Sequence, residues 1–286
     1  MRLKKGTHRV RHILLITAAV LLAAALFNQI AYAAIVPVIF FHGAYSEPDY
    51  IKNLASEVAE EFSIETGNGT LYGWKHEGNS DTVLLYFGGD NTDSNTWVGQ
   101  TFFGQTSDVW DDVTLLTVDY PLFGKSTGII SEQSFYATAE TLYETAREAY
   151  PNARLYAMGY SIGTAAALRL ACEKPLDGLI LIAPMYDGTS LYLPKDSIFH
   201  TLFEPTATVQ MQNDEMAGRC PVRPLILASE TDAMTPIENT YALCARFRNE
   251  PNLVLVPAKD HGSYWTCPET YDAITAYLAE TKEKEP

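Results

Sequence analysis

The chain has 286 residues, 47% of them apolar and 19% charged, a balance that excludes a disordered or low-complexity polymer and allows one large domain or two small ones. Its 35 Asp and Glu against 20 Lys and Arg give a net charge of −15. A body so acidic repels nucleic acid and anionic membrane surface, which leaves soluble, neutral or cationic partners, and solubility alone is the simplest account of the charge.

The first 33 residues differ in kind. Arg2, Lys4, Lys5, Arg9 and Arg11 form a basic start, and Ile13 to Phe27 is an apolar run without a charge. Ala31-Tyr32-Ala33 then supplies small residues at the spacing a signal peptidase reads. Those parts in that order describe a secretory signal peptide cut after Ala33. An uncleaved membrane anchor is the alternative, because the chain stays apolar as far as Phe41, although a spanning helix needs about 20 apolar residues. Either way the bulk of the chain is expected outside the cytoplasm, periplasmic or secreted if the signal is cut and tethered to the membrane if it is not. Residues 1–33 hold five of the 20 basic residues and none of the 35 acidic ones, so the remainder carries −20. Residues 34–61 read as an N-terminal segment, and 62–286 as the main domain.

From there strands and helices alternate. Ser63–Thr66 and Thr70–Trp74 are short, amphipathic and joined by Gly-Asn-Gly, a hairpin signal. Thr82–Phe87, Val113–Val118, Arg154–Met158, Gly178–Ile182, Pro224–Ala228 and Asn252–Val256 are apolar runs of the kind buried on both faces of a sheet. Helical patterns fall at Ser131–Tyr150, Ile162–Glu173, Ile237–Asn249 and Pro268–Thr281. A hairpin followed by such units predicts a mostly parallel sheet with helices on both faces. The long connection from Met185 to Pro221, with Tyr186, Tyr192, Phe199 and Phe203, reads as a small cap or as a plain surface excursion. The spacings of Cys172, Cys220, Cys244 and Cys267 match no zinc pattern, and no metal site is expected. Cys172 reads as a buried thiol in a helix. An exported chain permits disulfides, and the pair expected is Cys220–Cys244, since a strand and a returning helix between them bring both to one end.

The chemistry centres on Gly159-Tyr160-Ser161-Ile162-Gly163, between the strand "RLYAM" and the helix "IGTAAALRLACEK". At such a turn a serine is held in a strained backbone with its hydroxyl exposed, and the residues two before and two after it must be small. A nucleophilic serine needs a base, a carboxylate to orient the base, and N–H donors for the developing oxyanion. Beyond the signal the histidines are His42, His76, His200 and His261. His261 follows the last predicted strand, at the carboxyl edge where loops gather. Asp232, after the seventh strand, is the preferred acid, and Asp187, after the sixth, is its rival. Glu230 falls one turn position too early, and Asp260 reads as a loop carboxylate. The oxyanion donors expected are the N–H groups of Ile162 and of Asp90, in the loop after the third strand. Gly88 and Gly89 let that backbone approach a ligand. "VIFFHGA" at Val38–Ala44 has a similar look but precedes the hairpin.

Taken together, the elbow, "VLLYFGGDNTDSN" and "LLTVDYPLFGKSTG" resemble the α/β-hydrolase superfamily over roughly Phe62 to the end. The chain is most similar to its compact lipase- and depalmitoylase-like branch. The resemblance implies the α/β-hydrolase fold, a Ser161–Asp232–His261 triad and no cofactor. The activity expected is that of an exported serine hydrolase acting on esters or thioesters of small to medium acyl groups. A peptidase or acyltransferase on the same triad, or a non-catalytic binding module, are the alternatives.

Overall fold

The computed structural model describes residues 11–23, 26–27, 30, 55–90, 92–104, 108–191 and 209–282. Among these, eight strands form one sheet: β1 (Glu60–Thr66), β2 (Gly69–His76), β3 (Thr82–Phe87), β4 (Val113–Val118), β5 (Arg154–Tyr160), β6 (Gly178–Ile182), β7 (Leu225–Ala228) and β8 (Asn252–Leu255). Their order is β1-β2-β4-β3-β5-β6-β7-β8. β1 and β2 form an antiparallel hairpin closed from Thr66 to Gly69, β2 runs antiparallel to β4, and the rest are parallel. Every residue of β3, β4, β6 and β7 is buried, which is why they read as continuous apolar runs.

The pleat divides the core in two. Val83, Leu85 and Phe87 of β3, with Leu155 and Ala157 of β5, face α2 (Glu132–Ala149) and α3 (Gly163–Glu173). Leu84 and Tyr86, with Tyr156 and Met158, face α1 (Ser94–Gly104) and the C-terminal α6 (Pro268–Lys282). Alternate residues of one strand serve opposite layers, so one sheet binds helices on both sides. Two short helices, α4 (Asn213–Ala217) and α5 (Ile237–Cys244), complete the described set.

Beyond shifts of one or two residues at other strand ends, the structure departs from the sequence reading in four places. β1 begins at Glu60 rather than Ser63, and Ala55 is already buried in the same core, so the domain starts before residue 62. α1 was not foreseen. Its Asn-, Thr- and Gly-rich sequence is a poor helix former, but Asp93 Oδ1 accepts the Thr96 N–H at 2.7 Å and Asp119 Oδ1 the Ser94 N–H at 2.6 Å, capping its first turn. α5 stops at Cys244, where the chain tightens and buries Phe247 ahead of Pro251.

The Cys220–Cys244 bridge is the fourth departure. All four cysteines are free thiols. Packing of α4 on α3 carries Cys220 to the last turn of α3, where its N–H and the Cys172 thiol both donate to Met216 O, while Cys244 lies on α5.

Residues 11–23 are helical, with Ile13 to Leu22 largely exposed. Among the described residues no helix is long and apolar enough to cross a membrane. Of the 185–221 connection, both ends are described. Met185, Val209 and Met211 are buried in the core, whereas Tyr192, Phe199, His200 and Phe203 lie outside the described residues, as do His42 and Val38–Ala44.

Candidate active site

The parallel strands point their carboxyl ends the same way. The residues that follow β3, β5, β7 and β8 therefore meet along one edge. Ser161 follows β5, and its N–H donates to Ile182 O at the end of β6 (2.9 Å). It sits at φ 55°, a left-handed backbone that costs a β-carbon residue about 1–2 kcal/mol. The two glycines make the turn feasible. A β-carbon on Gly163 would stand 2.1 Å from Phe87 O, and one on Gly159 would stand 2.3 Å from Gly163 O. Helix α3 starts at once, with Ile162 at its head.

His261 reaches this serine from the loop after β8. Its Nε2 lies 2.8 Å from Ser161 Oγ, and its Nδ1 lies 2.8 Å from Asp232 Oδ2. The imidazole side chain is 17% exposed and that of Asp232 is fully buried, so one end of the relay is open and the other dry. The three residues span 100 positions of sequence and a single chain of two hydrogen bonds. Asp187, the rival acid, caps the Ser190 N–H at 2.7 Å instead. His76 is suspended between Val58 O (2.8 Å) and Trp110 O (3.0 Å) on the hairpin side. Asp260 accepts from Gly262 N–H and the Ser263 hydroxyl within its own loop, as a loop carboxylate should.

Asp232 is held by more than the histidine. Its Oδ1 accepts the N–H groups of Met234 (2.9 Å) and Thr235 (3.1 Å), and its Oδ2 also accepts the hydroxyls of Thr235 (2.8 Å) and Tyr264 (3.2 Å). Burial pushes this carboxyl up, but the His261 hydrogen bond and charge, with the Thr235 donors, outweigh it and hold the group below the usual carboxylate value. It therefore remains an anion beside the imidazole. Burial first, and the Asp232 charge second, push the Tyr264 hydroxyl far up, so it stays a donor.

Sequence reasoning missed Thr235, Tyr264 and Tyr160. The first two stand three positions after Asp232 and His261, a turn spacing visible only once those residues are fixed. Tyr160 precedes the serine. Its ring lies alongside the imidazole (centroids 5.3 Å, planes 28° apart), and its hydroxyl donates to His261 O. Behind it, Trp265, Trp97 and Tyr86 form an aromatic column that supports the histidine loop from the core side. Ala258 O, three residues before His261, accepts the hydroxyls of Ser229 (2.6 Å) and Thr231, which ties the acid loop to the histidine loop.

The loop after β3 passes close to Ser161. A β-carbon on Gly89 would meet the Tyr160 ring at 3.1 Å and Ser161 Cβ at 3.5 Å. That closeness is what an oxyanion loop requires, and Asp90 is the next residue along it. Below the loop, Asp119 at the end of β4 is buried and its carboxyl is pushed up to about 7, chiefly by burial, against the Ser94 N–H that favours its anion. Among the described residues no cluster of His, Cys, Asp and Glu is arranged to hold a metal ion.

Residues 111–216 match the family described as serine aminopeptidase, S33, and residues 202–286 match the TAP-like protein family. An alpha/beta hydrolase domain-containing protein of Caenorhabditis elegans, aho-3, is 30% identical over 82 residues, which is 28% of this chain and 25% of that one. The chain thus matches about a quarter of that relative's length. Among solved structures, Est1E of Butyrivibrio proteoclasticus with ferulic acid bound is similar at a TM-score of 0.63 and 16% identity, covering 78% of this chain and 100% of that one. An esterase of Pyrococcus furiosus is similar at 0.59 and 15% identity, covering 83% and 95%. Sheet order, the glycine-flanked elbow after β5 and these likenesses converge: the chain has the α/β-hydrolase fold and is similar to hydrolases of that superfamily.

Proposed function

We propose that the protein is an exported serine hydrolase that cleaves ester or thioester bonds of small to medium acyl substrates. The observation that carries this reading is the unbroken Ser161–His261–Asp232 hydrogen-bond chain at a strained, glycine-flanked elbow. Ser161 Oγ attacks the acyl carbon as His261 Nε2 takes its proton, and the imidazolium returns that proton to the leaving alcohol or thiol. Asp232, kept anionic by its five donors, fixes the tautomer with Nδ1–H turned inward and stabilises the imidazolium. The N–H groups of Ile162 and Asp90 are the donors proposed for the tetrahedral oxyanion. Water, activated by the same histidine, then frees the acyl group from Ser161. These steps use side chains, backbone and water alone. The likeness to esterase structures supports an ester substrate.

A peptidase reading is favoured by one observation, the match of residues 111–216 to a serine aminopeptidase family. Hydrolysis of a p-nitrophenyl acyl ester series and of aminoacyl p-nitroanilides, by wild type and Ser161→Ala, separates the two. Ester turnover abolished by the substitution supports the proposal. Anilide turnover without ester turnover supports the peptidase, and rates that Ser161→Ala leaves unchanged refute both. Export rests on the basic and apolar N-terminal segment, and mass spectrometry of the mature N-terminus tests whether that segment is a cut signal or a retained tether.

A further inference from the structure

Two neighbouring cysteines, Cys172 and Cys220, are not used by the proposed reaction. Cys172 ends the helix that carries the elbow, and Cys220 follows α4 at the close of the 185–221 connection. Both converge on one carbonyl: Cys172 Sγ donates to Met216 O at 3.3 Å, and the Cys220 N–H donates to the same oxygen at 2.9 Å. Cys220 Sγ itself donates to Val222 O at 3.5 Å, and the two thiols lie close enough to shift each other's ionisation in opposite directions. They differ in access, because Cys172 is half-buried and Cys220 is 1% exposed.

From this convergence we infer that Cys172 and Cys220 form a reversible disulfide that staples the end of α3 to the root of the 185–221 connection. The asymmetry orders the chemistry. The neighbouring Cys220 thiol, with Arg219 and Arg169 nearby, holds the Cys172 thiol below its usual value against the opposing effect of burial, while the neighbouring Cys172 and burial push the Cys220 thiol up. Cys172 is therefore the attacking thiolate. It displaces one thiolate from a disulfide-class oxidant, such as oxidised glutathione or a dithiol oxidase, and forms a mixed disulfide. Cys220 then gives up its proton and attacks Cys172 Sγ, releasing the second thiol. Two thiols of the protein lose two electrons and two protons, and the oxidant's disulfide gains them. Cys220 is too buried for a bulky oxidant, so Cys172 is its route to oxidation. The site stands on its own and holds whatever reaction Ser161 performs.

Full-length protein is incubated with oxidised glutathione, unreacted thiols are alkylated and counted in denaturant, and the protein is mapped without reduction. The expected result is the loss of two of the four thiols, a Cys172–Cys220 peptide, and a Tm higher by on the order of 5 °C that dithiothreitol reverses. Cys244→Ser gives the same linkage, and Cys172→Ser keeps all three of its thiols. Four surviving thiols, a linkage through Cys244 or Cys267, or a glutathione adduct that stays open at Cys172 would overturn the inference.

Discussion

Replacing Asp232 by Asn changes one atom in shape terms and should still be severe. The aspartate takes two backbone N–H groups on Oδ1, from Met234 and Thr235, and His261 Nδ1 with two hydroxyls on Oδ2. An asparagine must place its NH2 on one of those sides. The backbone donors cannot turn, whereas the hydroxyls can rotate and an imidazole can change tautomer. The NH2 therefore faces His261, whose Nδ1 must accept, leaving Nε2–H against Ser161 Oγ with no lone pair for its proton. A wrong tautomer of this kind lowers kcat on the order of 10^3–10^4-fold, which corresponds to about 4–5.5 kcal/mol of transition-state stabilisation. Asp232→Ala leaves the imidazole free to adopt either tautomer, so Asn should be at least as damaging as Ala despite its better fit. Steady-state ester hydrolysis at pH 7–8 measures both. An Asn variant that keeps more than a tenth of wild-type kcat would refute the reasoning.

Further expectations follow from neighbouring groups. Tyr264→Phe keeps the ring but removes a donor from Asp232, so the carboxylate keeps more of its charge for the imidazolium. The acid limb of the kcat/KM profile should move to higher pH, and an unmoved limb would make Tyr264 a packing residue only. Asp119 has its carboxyl raised to about 7, so its stabilising contribution is full below pH 4 and is lost as pH rises through 7. Between pH 5 and 8 the wild type should lose about 3 kcal/mol relative to Asp119→Asn in urea denaturation, and parallel curves would contradict this. Gly163→Ala drives a methyl against Phe87 O at 2.1 Å and should cost about 3 kcal/mol or more. Gly262→Ala, whose nearest contact is 3.6 Å, should leave Tm almost unchanged.

The strands, their order of appearance and the elbow were readable because each rests on local signals: β-branched runs, turn glycines, and a serine between strand and helix. Asp232 and His261 were readable by elimination along the carboxyl edge. What escaped the sequence depends on distant partners. Helix α1 exists because Asp119, on another strand, caps its first turn. Tyr264 and Thr235 matter only once Asp232 is known to point at His261. β5 runs on through Tyr160 because Gly159 and Tyr160 pair with Leu181 and Ile182, a register that no local pattern announces. The cysteine partner was misjudged for the same reason, since the packing of α4 against α3 decides which thiols meet.

The shared action of Ser161 and His261 is tested most directly by covalent labelling. A fluorophosphonate probe should modify the protein once, at Ser161, and His261→Ala should slow that reaction by at least a hundredfold while leaving the fold intact by circular dichroism. Labelling on another residue, or at an unchanged rate without the imidazole, would contradict the account.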